Sequence, residues 1–318
     1  MAAPFQGAKA KPRPLGVDVY LRPYRKKMLD TAPRICVVAG MPRAGTTFLY
    51  HNLGRHPELF APFRKETNYF LTNMGRGLDW YLGLYKEMLP HQIALDVSPS
   101  YFIDLATIER IKAYRGDTPV IMAVRDPAEL AVSWYEQQLT HFYRFVSFED
   151  FLRSWTARRG DGDVTIRLGE GHIRRALEAF CKGFGDNVLL YDYAAFKAAP
   201  LAILRSIERF LGLQPYFTEE NFDNSVINAV NRKNFIPLAY LLSRETTIKF
   251  IEKGVPRRLT LLLRKLFDAM STPSEPKHTT VHDPRRIELA ADILKDDVRF
   301  VENMFKDKPV QLGSGRPL

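Results

Sequence analysis

The chain has 318 residues, 46% hydrophobic and 26% charged, a composition suited to one large or two small domains with buried cores rather than to a disordered chain. Its 46 Lys and Arg exceed its 36 Asp and Glu by ten charges, which favours an anionic partner such as a nucleotide, an acidic sugar or a membrane surface. No apolar run approaches the roughly 20 residues of a membrane-spanning helix, no zinc-finger spacing or aromatic-rich RNA motif is present, and neither a signal peptide nor nucleic-acid binding is expected.

Residues 1–33 are rich in Pro and basic residues without sustained periodicity and are expected to form a partly disordered arm. Residues 34–318 are then expected to form a single domain. Its first element is the apolar run Ile35-Cys36-Val37-Val38-Ala39, a buried strand ending at Gly40. Thr46 and Thr47 are placed to cap a helix carrying Phe48, Leu49 and Leu53 that stops at Gly54. Further strands are predicted at 92–96, 119–124 and 187–191. Helices are predicted at 107–114, after Asp126-Pro127, and through Leu201, Leu204, Ile207 and Leu211 to Gly212. Strands alternating with helices predict an α/β protein: a P-loop-like, three-layer fold with a central parallel sheet flanked by helices.

Residues 157–171 mix Gly with both charge signs and read as a surface loop or a lid. Residues 238–270 have a helical pattern, and the basic, apolar stretch around Arg257 suits either a helix packed on the core or peripheral contact with an anionic membrane. Residues 271–284 read as a linker, and a last helix is predicted from Pro284 to about Phe305, so that 238–318 form a helical C-terminal region. Cys36 and Cys181 lie far apart in apolar stretches and read as two reduced thiols, consistent with a cytoplasmic setting.

A strand that enters a glycine turn and continues as a helix presents backbone N–H groups and the positive end of the helix dipole to an anion. Gly40 to Gly45 has the G-x-x-x-x-G spacing of a nucleoside-triphosphate loop, but Thr46 stands where such a loop needs the Lys that reaches the terminal phosphates. A ligand with one phosphate at a 5′ position stays open, with the fixed charge of Arg43 inside the turn. A P-loop kinase or NTPase using Asp96 for magnesium stays open as an alternative, as does a catalytically silent nucleotide-binding or peripheral membrane protein.

The segment PRAGTTFLYHNLGRHP resembles the 5′-phosphosulfate loop of sulfotransferases that use 3′-phosphoadenosine 5′-phosphosulfate (PAPS). Arg125-Asp126-Pro127 followed by Ser133-Trp134-Tyr135 is similar to the family's 3′-phosphate motif. Three segments resemble the branch acting on heparan sulfate and other carbohydrates: Lys65-Glu66-Thr67-Asn68-Tyr69-Phe70, Gly77-Leu78-Asp79-Trp80-Tyr81 and Asp96-Val97-Ser98-Pro99-Ser100-Tyr101. Tyr191-Asp192 looks like a later strand end near the adenine, and Asn231-Arg232-Lys233 like a basic loop over the 3′-phosphate.

The resemblance implies a metal-free sulfotransferase with PAPS as co-substrate and a glycan or glycolipid as acceptor. It implies PAPS contacts from Arg43, Ala44, Gly45, Thr46, Thr47, Arg125, Ser133, Tyr191 and Arg232, with Ser133 restraining hydrolysis. Glu66 is the implied base, expected to be partly buried, and Arg43 the implied electrostatic stabiliser, since an Arg does not readily give up its proton. Two positions depart from the branch: Arg43 replaces a Lys, and Val97 replaces the Lys of an E-K-T-P segment.

Overall fold

A computed structural model describes residues 32–140, 147–158, 165–168, 171–224, 283–316 and 318. The N-terminal arm, Arg232 and the basic stretch near Arg257 lie outside the described residues.

The first strand, β1 (Ile35–Gly40), is buried along its whole length, as its uninterrupted apolar run requires. It leads through a short turn into α1 (Thr46–Leu53). The two-residue β2 (Leu59–Phe60), α2 (Leu78–Gly83), β3 (Ile93–Val97) and α3 (Ala106–Tyr114) follow. Then come β4 (Val120–Val124), α4 (Pro127–Thr140) and α5 (Phe148–Arg153). Asp126 caps α4 by accepting the Glu129 N–H at 2.8 Å, the device its Asp-Pro start predicts.

Strands β5 (Thr156–Arg158) and β6 (Thr165–Arg167) pair antiparallel, so the predicted loop of 157–171 contains a hairpin. Helix α6 (His172–Phe184) was not anticipated, although Ile173, Ala176, Leu177, Phe180 and Phe184 form a buried stripe at helical spacing. Strand β7 (Val188–Asp192), α7 (Tyr193–Ala198) and α8 (Pro200–Leu211) complete this region. The predicted terminal helix is two helices, α9 (Pro284–Ile293) and α10 (Lys295–Phe305), interrupted at Leu294, before β8 (Val310–Leu312).

The six-stranded sheet has the order β2-β3-β1-β4-β7-β8. All pairs are parallel except β7 with β8, where Leu189, Leu190 and Tyr191 face Leu312, Gln311 and Val310. From β1 the chain passes to the edge strand β2, returns to β3 beside β1, and then crosses to β4 on the other side of β1. The carboxyl ends of β1 and β4 therefore flank a topological switch point, where open α/β sheets form their ligand crevice.

After α8 the chain returns to α1. Asn52 on α1 donates to the Asp223 carbonyl at 3.0 Å and accepts the Asp223 N–H at 2.7 Å. Buried Glu208 accepts the N–H groups of Tyr216 and Phe217 and lies 3.6 Å from His56. The helix behind the glycine turn is thus pinned along its inner side. No helix among the described residues is long and apolar enough to cross a membrane.

Candidate active site

The turn after β1 is shaped by two left-handed residues, Arg43 at φ 64° and Gly45 at φ 77°. Gly45, not Thr46, occupies the N-cap of α1, and no side chain caps this end. Thr46 is the first helical residue and is buried. The free N–H groups of a helix's first turn then face the turn itself, where an anion would satisfy them. Gly45 has a second reason to be glycine: a Cβ there would meet the Phe196 ring at 2.7 Å. Phe196 also packs edge-on against Phe48 at 5.0 Å, so α7 buttresses the turn.

Two residues from the end of β4 and from α4 reach the same turn. Arg125 is 6% exposed and donates from Nη1 to the Arg43 carbonyl at 2.8 Å. Ser133, 3% exposed and about two turns into α4, accepts from Arg43 Nε at 3.2 Å. The guanidinium of Arg125 also pairs with Glu129 at 3.2 Å and lies over the Tyr193 ring at 5.0 Å. Lys197 adds charge, 3.6 Å from Glu129 and 5.3 Å from the Tyr193 ring.

Burial, and then the charge of Arg125, push Arg43 below the ordinary guanidinium range; Tyr193 and buried Glu136 act in the opposite direction. A guanidinium nevertheless keeps its proton at neutral pH. The result is a cationic cluster at a helix N-terminus, with donors fixed by their own hydrogen bonds before any ligand arrives.

Glu66 stands at the carboxyl edge of the same sheet. Its N–H donates to the Val97 carbonyl at 3.2 Å, and Val97 is in register with Val38 on β1. Its carboxylate pairs with Lys65 at 3.0 Å and its side chain is 41% exposed, a partly buried position in which the expected base is held in an ion pair. Glu66 and Asn68 have φ of 61° and 46°; with Arg43 they are the non-glycine residues at positive φ among the described residues. Such backbone persists where the surroundings over-determine it, and functional sites are where it concentrates.

Tyr191 is fully buried in β7, where burial raises its phenol above the ordinary range, and its ring lies 6.1 Å from that of Phe196. Tyr193, two residues on, presents its ring to Arg125 instead. Sequence reasoning missed Tyr193 and Glu136. Glu136 had a readable signal, being an acid one turn beyond Ser133 on the same helix face.

Asp96 is 0% exposed at the end of β3. Its oxygens accept from Thr67, Tyr81, Ser98 and Tyr101, and burial still raises its carboxyl above the usual range. A magnesium-binding acid needs lone pairs turned to the ligand, whereas these are turned into the protein. No cluster of three or more His, Cys, Asp and Glu suited to a metal occurs among the described residues.

Residues 33–256 match the family model for the sulfotransferase domain. The mouse heparan sulfate glucosamine 3-O-sulfotransferase 3B1 is 29% identical over 227 residues, covering 68% of this chain and 55% of that protein. Mouse heparan sulfate glucosamine 3-O-sulfotransferase 6 is 30% identical over 193 residues, covering 58% and 54% respectively. The chain spans about half the length of the curated relatives it matches. A solved sulfotransferase from Alicyclobacillus acidocaldarius is 17% identical, covering 71% of this chain and 98% of that one, with a TM-score of 0.49. With more than half of its length matched by one model, the chain belongs to the sulfotransferase domain family.

Proposed function

We propose that this protein transfers a sulfuryl group from PAPS to a hydroxyl or amine of a carbohydrate or glycolipid acceptor. The observation that carries the reading is the convergence of Arg43, after β1, Arg125, at the end of β4, and Ser133, on α4, at one helix N-terminus. Two anion positions separated by a nucleoside suit that arrangement. The turn N–H groups, Thr46 and Arg43 take the 5′-phosphosulfate, and Arg125 with Ser133 takes the 3′-phosphate. The carbohydrate class rests on the likeness to heparan sulfate enzymes and on the three segments shared with that branch.

In the reaction, the acceptor oxygen or nitrogen forms a bond to sulfur while the bond from sulfur to the bridging phosphate oxygen breaks. The bond's electron pair stays on that oxygen, and 3′-phosphoadenosine 5′-phosphate (PAP) leaves. Glu66 takes the acceptor proton after its carboxylate parts from Lys65, and the partly exposed position leaves room for an acceptor to approach. Arg43 and the α1 N-terminus stabilise the charge that grows on the leaving oxygen; a preorganised donor of this kind is worth about 100-fold or more in rate.

Calorimetry with PAP and with magnesium-ATP tests the nucleotide site. Tight PAP binding without magnesium is expected, and a preference for magnesium-ATP would sink the reading. Radiolabelled PAPS offered with heparan sulfate, glycolipids and simple phenols tests the acceptor class; transfer to phenols alone removes the carbohydrate assignment.

A further inference from the structure

Three segments separated in the sequence meet at one carboxylate. Thr67 Oγ1 lies 3.0 and 2.9 Å from the two oxygens of Asp96, Tyr81 OH donates at 2.8 Å, Ser98 Oγ at 2.7 Å and Tyr101 OH at 2.9 Å. These hydroxyls come from the stretch after Glu66, from α2, and from the turn after β3. Three of these hydroxyls also hold the backbone just after Glu66. Ser98 Oγ accepts the Asn68 N–H at 3.0 Å, Thr67 Oγ1 accepts the Tyr69 N–H at 3.2 Å, and Tyr101 OH accepts the Phe70 N–H at 3.3 Å. The Asn73 side chain donates to the Thr67 carbonyl at 2.7 Å.

A lone buried carboxylate facing four hydroxyls is a costly way to fill a core, since an apolar cluster of similar size would pack without the desolvation penalty. Its return is directional: Thr67, Ser98 and Tyr101, turned towards Asp96, each use a lone pair to accept a backbone N–H. The two residues on either side of Thr67, Glu66 and Asn68, are the ones held at positive φ.

We propose that Asp96 is a positioning residue that acts through Thr67 to hold Glu66 in its left-handed backbone conformation and so aim its carboxylate at the acceptor. The aim of the carboxylate rests on the reading of Glu66 as base; the hold on its backbone does not. The three segments are on this account one device, and Thr67, Tyr81, Ser98 and Tyr101 serve it without touching substrate.

The test uses Thr67→Val, which removes the hydroxyl and keeps the shape, beside Thr67→Ser, which restores it. With radiolabelled PAPS and heparan sulfate as the acceptor probe, Thr67→Val should lower kcat about tenfold or more, because small misplacements of a reacting group cost up to about 100-fold. PAP affinity should stay within about twofold, and Thr67→Ser should recover kcat to within about threefold of the parent. In a Glu66→Ala background Thr67→Val should cost nothing further, as expected of residues acting as one unit. A full additional loss in that background, or parental kcat in Thr67→Val beside an inactive Glu66→Ala, overturns the proposal.

If Glu66→Ala itself keeps full transfer, the base assignment has failed, and with it the catalytic half of the inference. A crystal structure of Thr67→Val decides the backbone half without any acceptor. Glu66 should relax to negative φ; its remaining near the present 61° overturns the positioning role. Asp96→Asn, if it folds, should give the same structural result.

Discussion

Arg43 Nε donates to Ser133 Oγ across 3.2 Å, tying the cation of the glycine turn to a hydroxyl ninety residues later in the chain. The bond joins the two proposed anion positions. Serine offers one proton, so it cannot serve a 3′-phosphate as donor while also donating elsewhere, but it can accept from Arg43 and donate to phosphate together. Ser133→Ala should therefore weaken PAP binding about tenfold and Arg125→Ala about 100-fold, the range for hydrogen bonds to charged groups. Adenosine 5′-phosphate, which lacks the 3′-phosphate, should lose much less. Titration calorimetry with both ligands checks this, and equal losses would remove the 3′-phosphate assignment.

Arg43→Ala should reduce kcat about 100-fold or more while the chain stays folded, as the proposed role of charge stabilisation at the leaving oxygen requires. Arg43→Lys keeps a charge but loses the Nε–H that reaches Ser133. It should therefore retain more activity than Arg43→Ala and show faster acceptor-independent release of sulfate from PAPS. Parallel turnover and hydrolysis assays separate the two effects.

Tyr193 gives Arg125 a ring to lie on at 5.0 Å. A half-exposed contact of this kind is worth about 0.5–1 kcal/mol, so Tyr193→Leu should weaken PAP binding about two- to fivefold while Tyr193→Phe leaves it unchanged. Loss in both variants would assign the effect to the hydroxyl instead.

Gly45→Ala should be destabilising by about 2 kcal/mol or more, because the left-handed backbone alone costs about 1–2 kcal/mol for an L-residue and the new Cβ would press on Phe196 at 2.7 Å. Urea unfolding measures the loss. PAP binding should fall as well, since the turn must move to relieve the contact.

Burial pushes the Cys36 thiol up to about 12 and the half-buried Cys181 thiol up to about 11. At pH 8 the thiolate fractions are then on the order of 10⁻⁴ and 10⁻³, and both should resist alkylation in the native protein. Labelling should begin at Cys181 and rise about tenfold per pH unit. A raised folded value means the native state holds its proton more tightly than an unfolded thiol near 8.5. The associated stability is complete below about pH 8.5 and is lost as pH rises through the folded values. Mass-spectrometric labelling against pH checks the order; early modification of Cys36 would contradict it.

The sheet was legible because burial on both faces leaves a continuous apolar run: the predicted strands at 92–96 and 187–191 are offset by one residue from β3 and β7, and that at 119–124 starts one residue before β4. Strand β2 has two residues and β8 three, too short to carry a pattern. The break at Leu294 between α9 and α10 comes without Gly or Pro, so nothing local announces it. The motif spacing placed Arg43, Arg125 and Ser133 together, as the structure has them, while backbone states were not readable. Arg43, Glu66 and Asn68 are held at positive φ by contacts that arrive from elsewhere in the chain. The hydroxyl cage around Asp96 was invisible for the same reason, because single Thr, Ser and Tyr residues spread over 35 positions carry no periodicity.

The antiparallel pairing of β7 with β8 has a consequence for how this chain is made. Tyr191 and Val310 are partners in the sheet, so during synthesis the outer edge of β7 must wait for more than a hundred further residues before it is covered. An open, apolar strand edge is a template for pairing with other chains. A nascent chain halted after α8 would leave this edge uncovered and would also lack α9, the helix that packs against α4, which carries Ser133.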